Sequence, residues 1–224
     1  MRLVSILKNY HNYEVNGMDH IPKMGKAMIA VSHSFATYES LLLGSEIYLK
    51  TGRYSAGLAD RRIFQTPALS QFFTRIGAVN GSPKAGRKLL MKNNLLILSP
   101  GGMREALRPS QKKYKVDWND RLGFVRLAIE TQAPVILAAC PAADDIFTLY
   151  ENPLTKWIYK KFKLPFALLR GVGPTLVPRP VKLIHHLSQP YHPPKLKENG
   201  VDESDVRSFH SHLVREMNLL LQKS

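Results

Sequence analysis

Apolar positions along the chain follow two rhythms. Unbroken apolar runs inside Lys26–Ser32, at Leu95–Leu98 and at Val135–Ala139 are bounded by polar or turn-forming residues, the pattern of strands buried on both faces. Tyr54–Ala59 and Val181–Leu187 also read as strands, and Tyr13–Val15 leads into an Asn16-Gly17 turn. Between these runs the apolar residues recur at helical spacing over Tyr38–Lys50 and Asp120–Thr131, and Asp202–Gln222 reads as a long amphipathic helix. Thr66-Pro67 and Ser82-Pro83 each place a capping residue before a proline suited to a first helical turn, which predicts helices through about Ile76 and about Asn93. Asn152-Pro153 starts another, through Lys163. Strands separated by helices predict an α/β fold with a mixed, mainly parallel sheet covered by helices.

A chain of 224 residues can bury a full core. Its Pro/Gly-rich stretches, near 171–180 and 188–200, are short and lie between patterned segments. With no linker, repeat or low-complexity tract, the expectation is a single domain over 1–224, with an amphipathic N-terminal helix over 1–12 and a C-terminal helix over 202–223.

The formal charge of +15 calls for an acidic partner or surface. The basic residues are scattered among aliphatic and aromatic ones, and no helix-turn-helix, zinc-finger or RRM-like signature is present, so no specific nucleic acid is expected. An anionic membrane surface accounts for the same charge. Lys156–Phe166 mixes lysines with aromatics, which suits a headgroup boundary, and Leu3, Ile6, Leu7 and Tyr10 form one helical stripe that either meets lipid or caps the core. The basic segment Arg108–Lys115 reads as a contact for anionic phosphates or as a solvated loop. No run reaches the roughly 20 apolar residues of a spanning helix, and the N-terminal apolar stretch is too short for a signal peptide. Cys140 is the single cysteine, which excludes an internal disulfide and is compatible with a reducing compartment. The expected location is cytoplasmic and peripheral on the membrane.

Two polar islands carry candidate chemistry. His33 ends a strand and Glu39 lies in the first turn of the next helix. A histidine can take a proton from a hydroxyl near neutral pH, and a carboxylate can hold its other ring nitrogen. The plain reading of the pair is a buried histidine and a carboxylate that suits a helix start. The second island, Ser99-Pro100-Gly101-Gly102-Met103-Arg104-Glu105, follows a strand. Free N–H groups at Gly101 and Gly102 are candidate anion or oxyanion donors, and Arg104 offers a planar fork for a phosphate or polar head, with Glu105 fixing it. An ordinary tight turn is the plain reading of the glycines. Sites in open α/β sheets collect at the carboxyl ends of strands, where both islands fall. Cys140 ends an apolar strand and reads as core. His185, His186, His210 and His212 lack partners at metal-ligand spacing, so no metal is expected. Ser34 and Ser99 are outside any Gly-x-Ser-x-Gly elbow.

This set resembles the glycerolipid acyltransferase superfamily, which includes lysophosphatidate acyltransferases and the diacylglycerol acyltransferase type-2 group. The superfamily's His block commonly has its acid five residues later; here Tyr38 stands there and Glu39 comes six later. That spacing, and Pro100-Gly101-Gly102-Met103-Arg104-Glu105, are similar to the neutral-lipid side, whose pattern is Pro-Gly-Gly-x-Arg-Glu. Phosphatidate-type members carry Pro-Glu-Gly-Thr-Arg, whose Glu is Gly101 here. Asn16–Pro22 resembles the lead-in to the His strand, and Ala133–Ile136 the fourth block. Arg61-Arg62-Ile63-Phe64 through Val79 resembles the second block, with Asn80 near the place of its usual terminal Arg. The resemblance covers roughly 13–190. It implies acyl transfer from acyl-CoA or acyl carrier protein to a glycerolipid or lysophospholipid hydroxyl, without a further cofactor. His33 would be the general base and Glu39 its orienting partner, Gly101 and Gly102 the anion donors, and Arg104, Glu105, Arg61 and Arg62 the substrate-binding residues. Two other readings stay open: a catalytically idle, basic lipid- or nucleic-acid-binding module, and a lipid hydrolase using the same site with water.

Overall fold

A computed structural model describes residues 2–60, 63–65, 67–75, 77–150 and 168–223. Nine strands are described: β1 (Glu14–Asn16), β2 (Ala27–Val31), β3 (Ser55–Ala59), β4 (Ala78–Asn80), β5 (Leu95–Leu98), β6 (Val135–Ala139), β7 (Thr148–Tyr150), β8 (Leu168–Arg170) and β9 (Ile184–Leu187). The helices are α1 (Arg2–Tyr10), α2 (Tyr38–Thr51), α3 (Pro67–Arg75), α4 (Pro83–Met91), α5 (Gly102–Ala106), α6 (Gly123–Thr131) and α7 (Glu203–Leu220). Seven strands form one sheet in the order β1-β9-β6-β2-β5-β3-β4, and β7 pairs with β8 separately. Within the large sheet only the β6–β9 pair is antiparallel. The α/β reading is therefore correct, in a mostly parallel sheet with helices on both faces.

The central strands are buried throughout because both faces are covered. On β2, Met28 and Ala30 join the core beneath α4, α6 and α7, while Ala27, Ile29 and Val31 join the core beneath α2. This is the period-two alternation expected of a strand buried on both sides. A third apolar cluster, with Leu42, Cys140, Ile146, Phe147, Leu149 and Leu183, lies under α1 and takes up Val4 and Leu7.

Several boundaries differ from the sequence reading. The predicted strand from Val181 begins only at Ile184, because Leu183 is already bonded to the N-terminal segment: its N–H donates to the His11 carbonyl and its carbonyl accepts from Glu14 N–H. Helix α6 starts at Gly123 rather than Asp120, since Trp118–Leu122 forms tight turns with Arg121 N–H donating to the Trp118 carbonyl. Ser82 caps α4 as expected, its hydroxyl accepting from Ala85 N–H at 3.1 Å. The segment expected to start a helix at Asn152-Pro153 lies outside the described residues. Among the described residues no helix is long and apolar enough to cross a membrane.

Strand β2 runs parallel to β5, Ala30 opposite Leu98, and to β6, Val31 opposite Ala138. The loops after these three strands therefore emerge side by side at one edge of the sheet centre.

Candidate active site

The loops after β2 and β5 bring the two polar islands together. Beyond β5 the chain turns at Pro100-Gly101 into α5, with Gly102 in the left-handed region at φ 52°, a conformation that favours glycine. A Cβ on Gly101 would collide with the Glu105 side chain, which lies over it. Glycine at 101 thus lets Glu105 fold back against its own turn. Fully buried, Glu105 accepts from His33 N–H at Oε2 (3.2 Å) and from Asp117 N–H at Oε1 (3.1 Å). Arg108, one turn further on, donates through Nη1 to the His33 carbonyl at 3.1 Å and through Nη2 to Asp144. Both peptide groups of His33 are therefore gripped by side chains from the neighbouring loop.

His33 is half-buried, and its Nδ1 is sealed inside without a hydrogen-bond partner. Burial, reinforced by the nearby Arg108 charge, lowers its pKa to about 4, so the ring is neutral around pH 7. Glu39 is fully buried. Its Oε1 accepts from Ser34 Oγ at 2.9 Å and from Ser34 N–H at 3.3 Å, while Oε2 has no partner. The direct Glu39–His33 ring bond expected from the sequence is absent from this structure: the carboxylate turns instead to the residue after His33, where two donors lie within reach. Desolvation raises Glu39 to about 7 despite these bonds, and raises Glu105 to about 7 despite Arg108.

The other candidates divide. The Gly102 N–H donates to the Ser99 carbonyl at 3.0 Å and so is not free for an anion, while the Gly101 N–H has no acceptor among the described residues. Arg104 is exposed and pairs with Asp117, Nε to Oδ2 at 3.2 Å. Glu105 binds His33 and Asp117 rather than fixing Arg104. Arg61 and Arg62 lie outside the described residues, as does Lys156–Phe166. Asn80 is exposed at the end of β4. Cys140 is buried and burial raises its thiol well above the usual range, which fits packing. The basic segment after α5 is partly tied down: Lys113 pairs with Asp145 at 2.7 Å, and Tyr114 donates its N–H to Asp144 and its hydroxyl to Asp145, while Lys112 and Lys115 are exposed. Among the described residues no group of three His, Cys, Asp or Glu side chains could hold a metal ion.

Motif reading leaves out Asp144, takes Arg108 only as part of the basic segment and Ser34 only as lying outside a hydrolase elbow. The available signal was Asp144-Asp145 just past β6, the third central strand, where the carboxyl-end rule also applies. Next to Arg108 a small cleft of about 10 Å³, room for about one water molecule, is lined by Phe35, Phe147 and Leu149 on its apolar side and by Arg108, Lys113 and Asp144 on its polar side. A neutral imidazole whose two peptide groups are both held is a proton-accepting centre suited to a reaction at a hydroxyl.

Comparison with known proteins bears on the family and fold of the chain. A family model described as diacylglycerol acyltransferase matches residues 20–181. The chain is 33% identical over 182 residues to a Bos taurus protein named "DGAT1/2-independent enzyme synthesizing storage lipids", covering 81% of this chain and 52% of that one. The Homo sapiens protein of the same name is 33% identical over 182 residues, with 81% and 54% covered. The chain thus spans about half the length of the curated relatives it matches. In fold it is similar to the crystal structure of the 1-acyl-sn-glycerophosphate acyltransferase PlsC from Thermotoga maritima, with a TM-score of 0.57 at 14% identity over 99% of this chain and 81% of that one.

Proposed function

The chain belongs to the diacylglycerol acyltransferase family, and from that membership we propose that it is an O-acyltransferase acting peripherally at a membrane surface. The donor is an acyl thioester, acyl-CoA or acyl carrier protein, and the acceptor is a glycerolipid hydroxyl. His33 is the general base. The neutral imidazole takes the hydroxyl proton as the acceptor oxygen attacks the thioester carbonyl carbon and the carbonyl electrons move to oxygen. The tetrahedral oxyanion then collapses, the C–S bond breaks, and the departing sulfur takes the proton from the imidazolium. Gly101 N–H is the donor left free for the oxyanion. No covalent acyl-enzyme is invoked, since Cys140 is a buried, high-pKa thiol and the Ser34 hydroxyl is committed to Glu39.

One observation carries this reading: a neutral, partly accessible histidine at the carboxyl end of the central strand, both peptide groups held by the Gly-Gly loop that follows the next strand. Such anchoring keeps the ring fixed while a proton moves. Glu39 acts one step removed, holding Ser34 and with it the chain leaving His33.

The acceptor we propose is an uncharged lipid alcohol, a mono- or diacylglycerol. Support comes from Gly101, from Asn80 near the place of a phosphate-type arginine, from Arg104 being already paired with Asp117, and from relatives whose printed name is of storage-lipid synthesis. The test is His33→Ala in a transfer assay with labelled acyl-CoA. Removal of a general base costs about 10²–10⁴-fold, whereas Glu39→Gln costs less. A folded His33→Ala protein with near-normal turnover overturns the assignment.

A further inference from the structure

Arg108 lies outside every motif block and is nearly fully buried, with its side chain 7% exposed. A guanidinium in that position is costly unless its charge and donors are matched. Here Asp144 takes Nη2, the carbonyls of His33 and Glu105 take Nη1 at 3.1 and 3.3 Å, and Glu105 Oε1 stands 3.7 Å away. Nε remains buried without a partner. Asp144 in turn accepts from Tyr114 N–H at 2.8 Å, so the anchor is tied to the chain on both sides. If this arrangement only stapled α5 to the turn after β6, it would have no need to converge on the backbone of the residue that bears the base.

Resting on the reading of His33 as general base, we propose that Arg108, held by Asp144, is a positioning residue for His33: Arg108 fixes its carbonyl and Glu105 its amide, and the clamp sets where the imidazole stands. The ionisable groups around His33 are Glu105 on α5, Arg108 just beyond it, Glu39 on α2 and Asp144 on the turn after β6. Of these, Arg108 is the one whose charge depresses the histidine, second only to burial itself. The clamp therefore has an electrostatic signature that a simple staple lacks.

The experiment follows the His33 ring by NMR titration, its signals assigned by their loss in His33→Ala, in the wild type, Arg108→Met, Arg108→Lys and Asp144→Asn. It also records kcat and KM for transfer from acyl-CoA to diacylglycerol in vesicles. Removing the charge in Arg108→Met raises the His33 titration point toward an ordinary histidine. Loss of the grip lowers kcat about 10–100-fold with KM little changed, the scale expected when a reacting group is displaced by about 1 Å. Arg108→Lys keeps the charge but not the two-armed grip, so the titration point stays low while kcat falls. Asp144→Asn, which leaves Arg108 without its anchor, lowers kcat in the same way. A folded Arg108→Met protein with wild-type kcat and an unmoved His33 titration overturns the proposal. If Arg108→Met fails to fold, a folded Arg108→Lys protein with wild-type kcat overturns it. An active His33→Ala protein would instead remove the reading of His33 as base, so the two failures are distinguishable.

Discussion

Gly101 shows at the scale of one residue how the site is assembled. The Glu105 side chain occupies the space a side chain at 101 would need, so the Pro-Gly-Gly turn and its carboxylate are one unit. Gly101→Ala is expected to cost about 1–3 kcal/mol through overpacking, measured by urea unfolding. In a cycle with Glu105→Ala the double variant recovers part of that loss, because the colliding partner is gone. Glu39 gives a prediction in pH. Its pKa rises from a usual 4.5 to about 7 on folding, so the folded state holds this proton where the unfolded chain releases it. The stability of wild type relative to Glu39→Gln therefore falls as pH rises from about 4.5 to about 7, by of order 3 kcal/mol in total. Unfolding curves across that window check the sign; a relative stability that rose with pH would contradict it. His33, Glu39, Gly101 and Glu105 were legible because each sits in a short motif at a strand end. Arg108 and Asp144 were not: the bonds that define them span 75 and 36 residues and form only where three strand ends meet. Nothing local distinguished exposed Arg104 from buried Arg108, one turn apart on the same short segment.

Among the elements, the long apolar runs and capped helices were readable because burial on both faces and proline-led caps are local signals. Ser82→Ala should cost about 1 kcal/mol of stability by releasing the Ala85 N–H it caps, as chemical unfolding would show. Strand β4, helix α5 and the β7–β8 pair escaped the sequence reading since each spans only three to five residues, too few for a period to show. The antiparallel entry of β9 is a long-range choice, made by its pairing with both β6 and β1. Helix α1 divides the stripe seen in the sequence. Val4 and Leu7 pack inward, Lys8 pairs with Glu46 and the Tyr10 hydroxyl donates to the Pro178 carbonyl at 2.6 Å, while Leu3 and Ile6 are each 62% exposed. If that outer edge meets lipid, Leu3→Glu with Ile6→Glu weakens co-sedimentation with vesicles and leaves thermal stability near wild type, because neither side chain supports the core. Unchanged vesicle binding would assign the membrane contact elsewhere on the protein.

For the whole molecule, the charge of +15 and the reactive centre make complementary demands. A basic protein accumulates on anionic lipid, which raises the local concentration of lipid acceptor available to His33. Vesicle binding should rise with anionic-lipid content and fall with added salt; binding indifferent to both would remove the electrostatic part of the account. The most direct test of the central claim is product identification with labelled acyl-CoA and a panel of acceptors, with kcat/KM measured side by side for mono- or diacylglycerol and for lysophosphatidate. The account predicts a new acyl ester on the uncharged acceptors, formed with kcat/KM at least equal to that for lysophosphatidate and lost in His33→Ala. Release of free fatty acid alone, or no acylated lipid with any acceptor, would contradict it.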